Sequence, residues 1–498
     1  MIGRFCYTRI KIPRTMKYQL ELIAFIVGAL GMTIELAGSR LIAPYLGTSI
    51  FVWTSLIGTV LASLSVGYYV GGILSKTEAS VRRLADILIT ATIFSSCVLF
   101  AEAYASFFFS LHFDTRIVTL LVCVLVFAPV TICLGMVTPY LVRLKAGALS
   151  DVGFTAGRLY AIATLGSIVG TFLGGYVLIS YFGTRAIFIG ISSTMLLLYL
   201  FVTVQSKEKI FTKRFLIALG ATGVMIASFF GLRTDPTIIS DTDSMYNRWI
   251  LREGASSEYP NHRVRYLTNG REGEQSGVDL EDPTNLIFPY LKTFDYAAIL
   301  KPNFKHSLLI GAGGYTYPTY LIGTRDDVHI DVVEIDPSLR DIARKFFFYK
   351  DDPRIGVFEE DGRMFLNKNT KQYDVIYVDA FSSNLSMPFQ LTTIEAVTHM
   401  KRSLSPTGIL IVNILNDSNG RSKFLKSEYA TYSAVFPQVI VSRVDSEHGE
   451  KEGIHNVVLI ASASTTHIMS RIPNRMNPSD LVSDFPILRD DFAPVESY

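Results

Sequence analysis

Four features in the second half of this 498-residue chain can do chemistry as a group, because each directly follows a short apolar run. They are Gly311 with Gly313 and Gly314, then Glu334, then Asp361-Gly362, then Asp379. Glycines permit a tight turn and close approach of the backbone to a ligand. Glu334 stands 23 residues after Gly311, where an acid can accept both hydroxyls of a ribose. Asp361 and Gly362 are placed to read an adenine amino group, and Asp379 falls where the reacting end of such a ligand would lie. Asp336 and Asp374 read instead as structural acids, each a helix cap or a loop solvator.

The elements that must hold these residues are strands and helices in alternation. Ser307-Leu-Leu-Ile, His329-Ile-Asp-Val-Val-Glu, Arg354-Ile-Gly-Val-Phe, Tyr373-Asp-Val-Ile-Tyr-Val and Gly408-Ile-Leu-Ile-Val-Asn are near-continuous apolar runs, the pattern of strands buried on both faces of a parallel sheet. Ligands of such sheets bind beyond the carboxyl ends of the strands, which is where the glycines and acids stand. Gln438-Val-Ile-Val-Ser-Arg-Val and Asn456-Val-Val-Leu-Ile-Ala read as a closing antiparallel hairpin. No P-loop is present and the site is acidic, so a cationic sulfonium nucleoside fits better than a pyrophosphate. Together these features describe a Rossmann-like S-adenosylmethionine-dependent transferase domain over 303–498. Residues 236–302, with short alternating runs and turn residues, read as a small β-rich lead-in.

The first half is a different material. Only 18% of the whole chain is charged against 49% apolar, and the shortage lies in residues 1–235, which hold 19 Lys+Arg and 9 Asp+Glu. The remainder holds 27 and 35. A disordered chain, a fibrous repeat and a wholly soluble enzyme are excluded. The basic excess sits at the edges of apolar runs, so it gives no support to nucleic-acid binding. Cys6, Cys97, Cys123 and Cys133 show no metal-binding spacing.

Seven apolar stretches, near 18–39, 51–75, 85–109, 117–142, 157–181, 186–204 and 214–232, are long enough to span a bilayer. Residues 1–235 are therefore expected to be a multi-pass helical domain in the cell membrane, its first helix uncleaved. Lys and Arg cluster on alternate loops, beginning with Arg4, Arg9, Lys11, Arg14 and Lys17, which places the N-terminus in the cytoplasm. Seven spans then place the second half outside. Glu35 and Glu102 are the intramembrane acids, read as an ion pair of Glu35 with Arg40 or as a cation site. Pro129 and Pro139 suggest a kink, and Gly166, Gly170, Gly174 and Gly175 close helix packing.

Leu308-Leu-Ile-Gly-Ala-Gly-Gly, Val333-Glu-Ile-Asp-Pro, Glu360-Asp-Gly-Arg and Tyr373-Asp-Val-Ile-Tyr-Val-Asp-Ala-Phe resemble the spermidine synthase (polyamine aminopropyltransferase) family. Glu35-Leu-Ala-Gly-Ser-Arg-Leu-Ile-Ala-Pro-Tyr-Leu-Gly, Gly135-Met-Val-Thr-Pro, Gly157-Arg-Leu-Tyr-Ala and Leu165-Gly-Ser-Ile-Val-Gly-Thr resemble its membrane-fused bacterial branch. The resemblance implies polyamine biosynthesis, with Glu334 on the ribose, Asp361 at the adenine, Asp379 activating the attacking amine and Gln275 contacting the cofactor from the lead-in. The amine attacks the carbon next to the sulfonium of decarboxylated S-adenosylmethionine and methylthioadenosine leaves. Expected partners are a small-molecule amine, the lipid bilayer and a second copy in a homodimer, with no metal. S-adenosylmethionine is cytosolic, so chemistry and charge counting point the catalytic half to opposite sides.

The chain departs from the family at three places. Its glycine loop continues Gly314-Tyr315-Thr316 without the acid that holds the aminopropyl ammonium, Ala380-Phe-Ser-Ser-Asn lacks a second Asp, and the amine-channel motif falls near Phe288-Pro-Tyr, again without an acid. Ordinary S-adenosylmethionine thus stays beside the decarboxylated form as co-substrate. A lyase, cyclase or methyltransferase of the same fold, and a polyamine or cation transporter with a nucleoside-sensing domain, are the alternative readings.

Overall fold

The computed structural model describes residues 16–47, 49–76, 80–146, 151–206, 210, 212–230, 235–255, 262–269, 273–380, 388–417, 423–444, 454–466, 469–482 and 484–493. It divides into two compact units, Met1–Thr234 and Asp235–Tyr498.

The first unit is helical: α1 (Met16–Leu46), α2 (Ile50–Lys76), α3 (Val81–Ser95), α4 (Ala101–Ser110), α5 (Thr115–Lys145), α6 (Val152–Phe172), α7 (Thr184–Gln205) and α8 (Lys213–Phe230). Among the described residues six stretches, Tyr18–Ala43, Ile50–Lys76, Val81–Phe100, Arg116–Lys145, Val152–Tyr181 and Thr184–Gln205, are long and apolar enough to cross a membrane. They coincide with the first six of the seven expected. The seventh falls on α8, which stands outside that set.

Glycines let two helix pairs approach to backbone contact. A Cβ on Gly166 or Gly170 of α6 would strike the backbone of Phe25 or Ala29 on α1, and one on Gly71 of α2 would meet Met136 of α5. Gly175 has open space instead, within a π-helical stretch, Leu173–Leu178, that extends α6. α5 runs through Pro129 and Pro139 as one 31-residue helix. Glu35 is half-buried on α1, while the Glu102 side chain lies outside the described residues. Among the described residues, acids that pair across helices include Glu21 of α1, with Lys145 of α5 and, at 2.8 Å, Arg158 of α6, and Asp86 of α3, with Arg214 of α8 at 3.1 Å.

The second unit begins with a four-stranded antiparallel sheet in the order β1 (Ile238–Asp243), β2 (Arg248–Ala255), β3 (Arg263–Thr268), β4 (Glu274–Asp279). Next come β5 (His306–Ile310), β6 (His329–Glu334), β7 (Ile355–Glu359), β8 (Tyr373–Val378), β9 (Leu404–Asp417), β10 (Gln438–Arg443) and β11 (Ile454–Ser462). These form one sheet in the order β10-β11-β9-β8-β5-β6-β7. β5 to β9 are parallel, and β10 and β11 make the antiparallel closure.

Alternation sets the two faces. Leu309, Val332, Val375, Tyr377 and Ile411 pack on one side, and Leu308, Ile310, Val333, Ile376, Val378 and Val412 on the other. Each such side chain contributes about 1.5–3 kcal/mol when fully buried. Helices α9 (Thr316–Thr324), α10 (Pro337–Phe346) and α11 (Gly362–Lys368) follow β5, β6 and β7 and cover these faces with α12 (Ile394–Arg402) and α13 (Lys423–Val435).

The same substitution should have opposite signs at two positions of α6. Gly170→Ala forces α1 and α6 apart and should cost about 1–3 kcal/mol. Gly157→Ala, with nothing within 4 Å, should leave stability unchanged or raise it. Thermal unfolding of the full chain in detergent measures both.

Candidate active site

The site is built around the turn after β5. Gly311 donates its N–H to the Val333 carbonyl at 2.9 Å, and the Asp379 N–H is donated to the Ile310 carbonyl at 2.8 Å. β6 and β8 are thereby held on either side of the glycine turn. Gly311 has φ +89°, and a Cβ there would collide with the Asp379 carbonyl. Gly313, at φ +50°, approaches the Gln275 carbonyl of β4. Gly314 has no room for a side chain, because a Cβ would lie 2.7 Å from Phe347 and 2.8 Å from the Ser276 hydroxyl.

A cavity of about 880 Å³ opens over these strand ends. Gln275, Gly311, Gly313, Glu334, Asp361, Gly362 and Asp379 all line it. Gly314 alone of the expected positions is not on its wall but packs behind it.

Glu334 closes β6, and it is only 7% exposed. Its Oε2 accepts the Ala312 N–H at 2.8 Å and its Oε1 the Asp336 N–H at 3.0 Å. Burial pushes its carboxyl upward, against these two bonds. Each oxygen keeps a lone pair for a further donor, which is the capacity that binding two ribose hydroxyls needs. Asp361 caps α11, its Oδ1 accepting the Met364 N–H at 2.9 Å. Gly362 then packs on Ile310, which a Cβ would approach to 2.6 Å.

Asp379 is recessed in the cavity between two neutral donors. Tyr290 donates its hydroxyl to Oδ2 at 3.0 Å, and Asn413 donates its amide to Oδ1 at 2.9 Å. Asn456 on β11 donates in turn to the Asn413 carbonyl oxygen at 2.8 Å. Burial raises the Asp379 carboxyl to about 6, and the Asn413 and Tyr290 hydrogen bonds hold it from going higher. A carboxylate tuned this way is ionised at neutral pH yet basic enough to take a proton.

Asp336 and Asp374 have the structural roles expected of them. Asp336 caps α10 through Ser338 and also accepts the Trp249 indole N–H at 2.7 Å and the Ser244 hydroxyl at 2.5 Å. Asp374, at the opposite end of β8, accepts the Lys305 and His306 N–H groups and pairs with Lys301 at 2.8 Å. Burial opposes its ionisation, but these bonds outweigh it and lower the carboxyl to about 2.

Asn413, Asn456, Trp249 and Glu274 also line the cavity, although nothing in the sequence reading gave them a role. The available signal was a lone amide inside the apolar run Ile411-Val-Asn-Ile-Leu. Among the described residues one group of metal-ligand type, His262 with Asp279 and Glu281, lies off the cavity wall. The Asp279 oxygens are already taken by His262, Asn285 and the N–H groups of Glu281 and Asp282, which makes it a loop clamp.

Residues 290–444 match the Spermine/spermidine synthase domain family. The chain is 27% identical over 220 residues to a polyamine aminopropyltransferase of Vibrio vulnificus, covering 43% of this chain and 70% of that protein. It is 21% identical over 423 residues to polyamine aminopropyltransferase 1 of Streptomyces coelicolor, covering 80% and 76%. A solved structure, a probable spermidine synthase from Corynebacterium glutamicum, aligns over 51% of this chain and 96% of its own, with 21% identity and a TM-score of 0.42. Residues 290–444 thus carry a spermine/spermidine synthase domain, the domain of a family of transferases.

Proposed function

We propose that the protein is a membrane-anchored transferase of aminopropyl type, in which an amine attacks the carbon next to the sulfonium of decarboxylated S-adenosylmethionine. The observation that carries this reading is the convergence of Glu334, Asp361 and Asp379 on one cavity, with Asp379 held between Tyr290 and Asn413. Glu334 holds the ribose, Asp361 and the glycine turn border the base, and Gln275 closes the nucleoside from β4.

Asp379 orients the attacking amine by accepting its N–H and takes its proton as the new C–N bond forms. The C–S bond breaks, its electron pair stays on sulfur, and the sulfonium leaves as the neutral thioether of methylthioadenosine. Tyr290 and Asn413 fix the two carboxylate oxygens, so the base has one orientation before substrate arrives. The apolar helices anchor the enzyme in the bilayer. An even number of crossings, as the six apolar stretches would make, returns the catalytic half to the side of the basic N-terminus, where a cytosolic donor is available. A reporter fused to the C-terminus should then be active in the cytoplasm, and a periplasm-only signal refutes this placement.

A second reading keeps the fold and uses ordinary S-adenosylmethionine, and the absence of an acid in the glycine loop favours it. The nucleoside product separates the two. Incubated with decarboxylated donor and an amine, the full chain should release methylthioadenosine. S-adenosylhomocysteine formed from S-adenosylmethionine would instead mark methyl transfer, and consumption of neither donor overturns both. Asp379→Asn should lower turnover by about a hundredfold or more while methylthioadenosine still binds.

Asn413 stabilises the ionised form of Asp379, so Asn413→Leu should raise the carboxyl further. The acid limb of the kcat/KM profile, expected near pH 6, should move up by roughly one unit. Activity lost at pH 7 should return at pH 9. A uniform loss at every pH would show that Asn413 only supports the fold.

A further inference from the structure

A sulfonium donor with an aminoalkyl tail brings a second cation into the cavity, and a partly desolvated ammonium needs a carboxylate. Five acids line the wall: Glu274, Glu334, Asp336, Asp361 and Asp379. Four of them already accept hydrogen bonds. Glu334 takes two backbone N–H groups, Asp336 the Trp249, Ser244 and Ser338 donors, Asp361 its helix cap, and Asp379 the Tyr290 and Asn413 donors. The Glu274 side chain has no hydrogen-bond or ion-pair partner among the described residues.

Local backbone geometry brings Glu274 to the wall. Thr268 pairs with Glu274 and Leu267 with Ser276, so Gln275 is an extra residue in β4. Such a bulge breaks the alternation of a strand and lets neighbouring side chains face one way. Gly273, Glu274, Gln275 and Ser276 accordingly all line the cavity. β4 also lies against the glycine turn, with Gly313 facing the Gln275 carbonyl and Ser276 filling the space beside Gly314. A carboxylate at 314 therefore has no room, while one at 274 stands exposed on the adjoining strand. Partial desolvation raises the Glu274 carboxyl above its ordinary value, the direction expected of an acid lacking its cation.

Resting on the transferase reading above, we propose that Glu274 receives the ammonium at the aminoalkyl end of the donor and selects for a tail without a carboxylate. A donor that keeps its α-carboxylate would set a second negative charge beside Glu274, so the same residue rejects ordinary S-adenosylmethionine.

The test measures equilibrium binding of three ligands to the full-length protein in detergent: decarboxylated S-adenosylmethionine, S-adenosylmethionine, and methylthioadenosine, which lacks the tail. Glu274→Gln should narrow the preference for the decarboxylated donor by at least about tenfold, with methylthioadenosine affinity unchanged. Glu274→Asp should keep most of the preference. An unchanged preference with methylthioadenosine still bound overturns the assignment. An equal loss for all three ligands overturns it too, because Glu274 would then serve the fold. If wild-type protein binds no methylthioadenosine, the transferase reading itself fails and the assignment falls with it.

Discussion

At Gly311 the chain passes so close to the Asp379 carbonyl that the position has no space for a side chain, and its backbone bends into the left-handed region. Two hydrogen bonds fix this approach, from Gly311 to Val333 and from Asp379 to Ile310. The ends of β5, β6 and β8 meet within one turn of chain as a result. Glu334 can then reach the Ala312 N–H, and Asp379 faces the same cavity as Glu334. A side chain at 311 would push the Asp379 carbonyl away and so separate Asp379 from Glu334, whatever else the sheet preserved.

The second determinant is the setting of Asp379. Removing a carboxylate from water favours its neutral form, whereas neutral donors aimed at its oxygens favour the charged one. Here burial dominates and the donors temper it, which places the group near pH 6. The donors come from distant parts of the chain: Tyr290 from the segment after the four-stranded sheet, Asn413 from β9, and Asn456 behind it from β11. The antiparallel closure of the sheet thus does more than cover an edge, because it carries the amide that orients Asn413.

Much of this was legible in the sequence. Continuous apolar runs announced buried parallel strands, and the acids following them marked the carboxyl edge. The structure brings Glu334, Asp361 and Asp379 to one cavity as those positions require. The hydrogen bonds that tune them were not legible. Asn413 is 34 residues from Asp379 in sequence and Tyr290 is 89, and no local pattern encodes a pairing across strands. Glu274 was hidden for a different reason, since a one-residue bulge at Gln275 defeats a reading by alternation. In the helical unit the apolar lengths were plain, but Glu21 was overlooked beside Glu35 because its partners, Lys145 and Arg158, lie on other helices.

Asp336 has a role that reaches past its helix cap. By accepting the Trp249 indole and the Ser244 hydroxyl it latches the small antiparallel sheet to the first turn of α10, and Arg265 adds a bond of 2.6 Å to the Phe346 carbonyl at that helix's far end. The sheet also supplies Trp249, Glu274 and Gln275 to the cavity wall. A fragment begun at residue 303 would leave Asp336 a buried acid stripped of two donors and the cavity without one side. The portable module, the piece that could be moved intact as a unit, is therefore Asp235–Tyr498 as a whole.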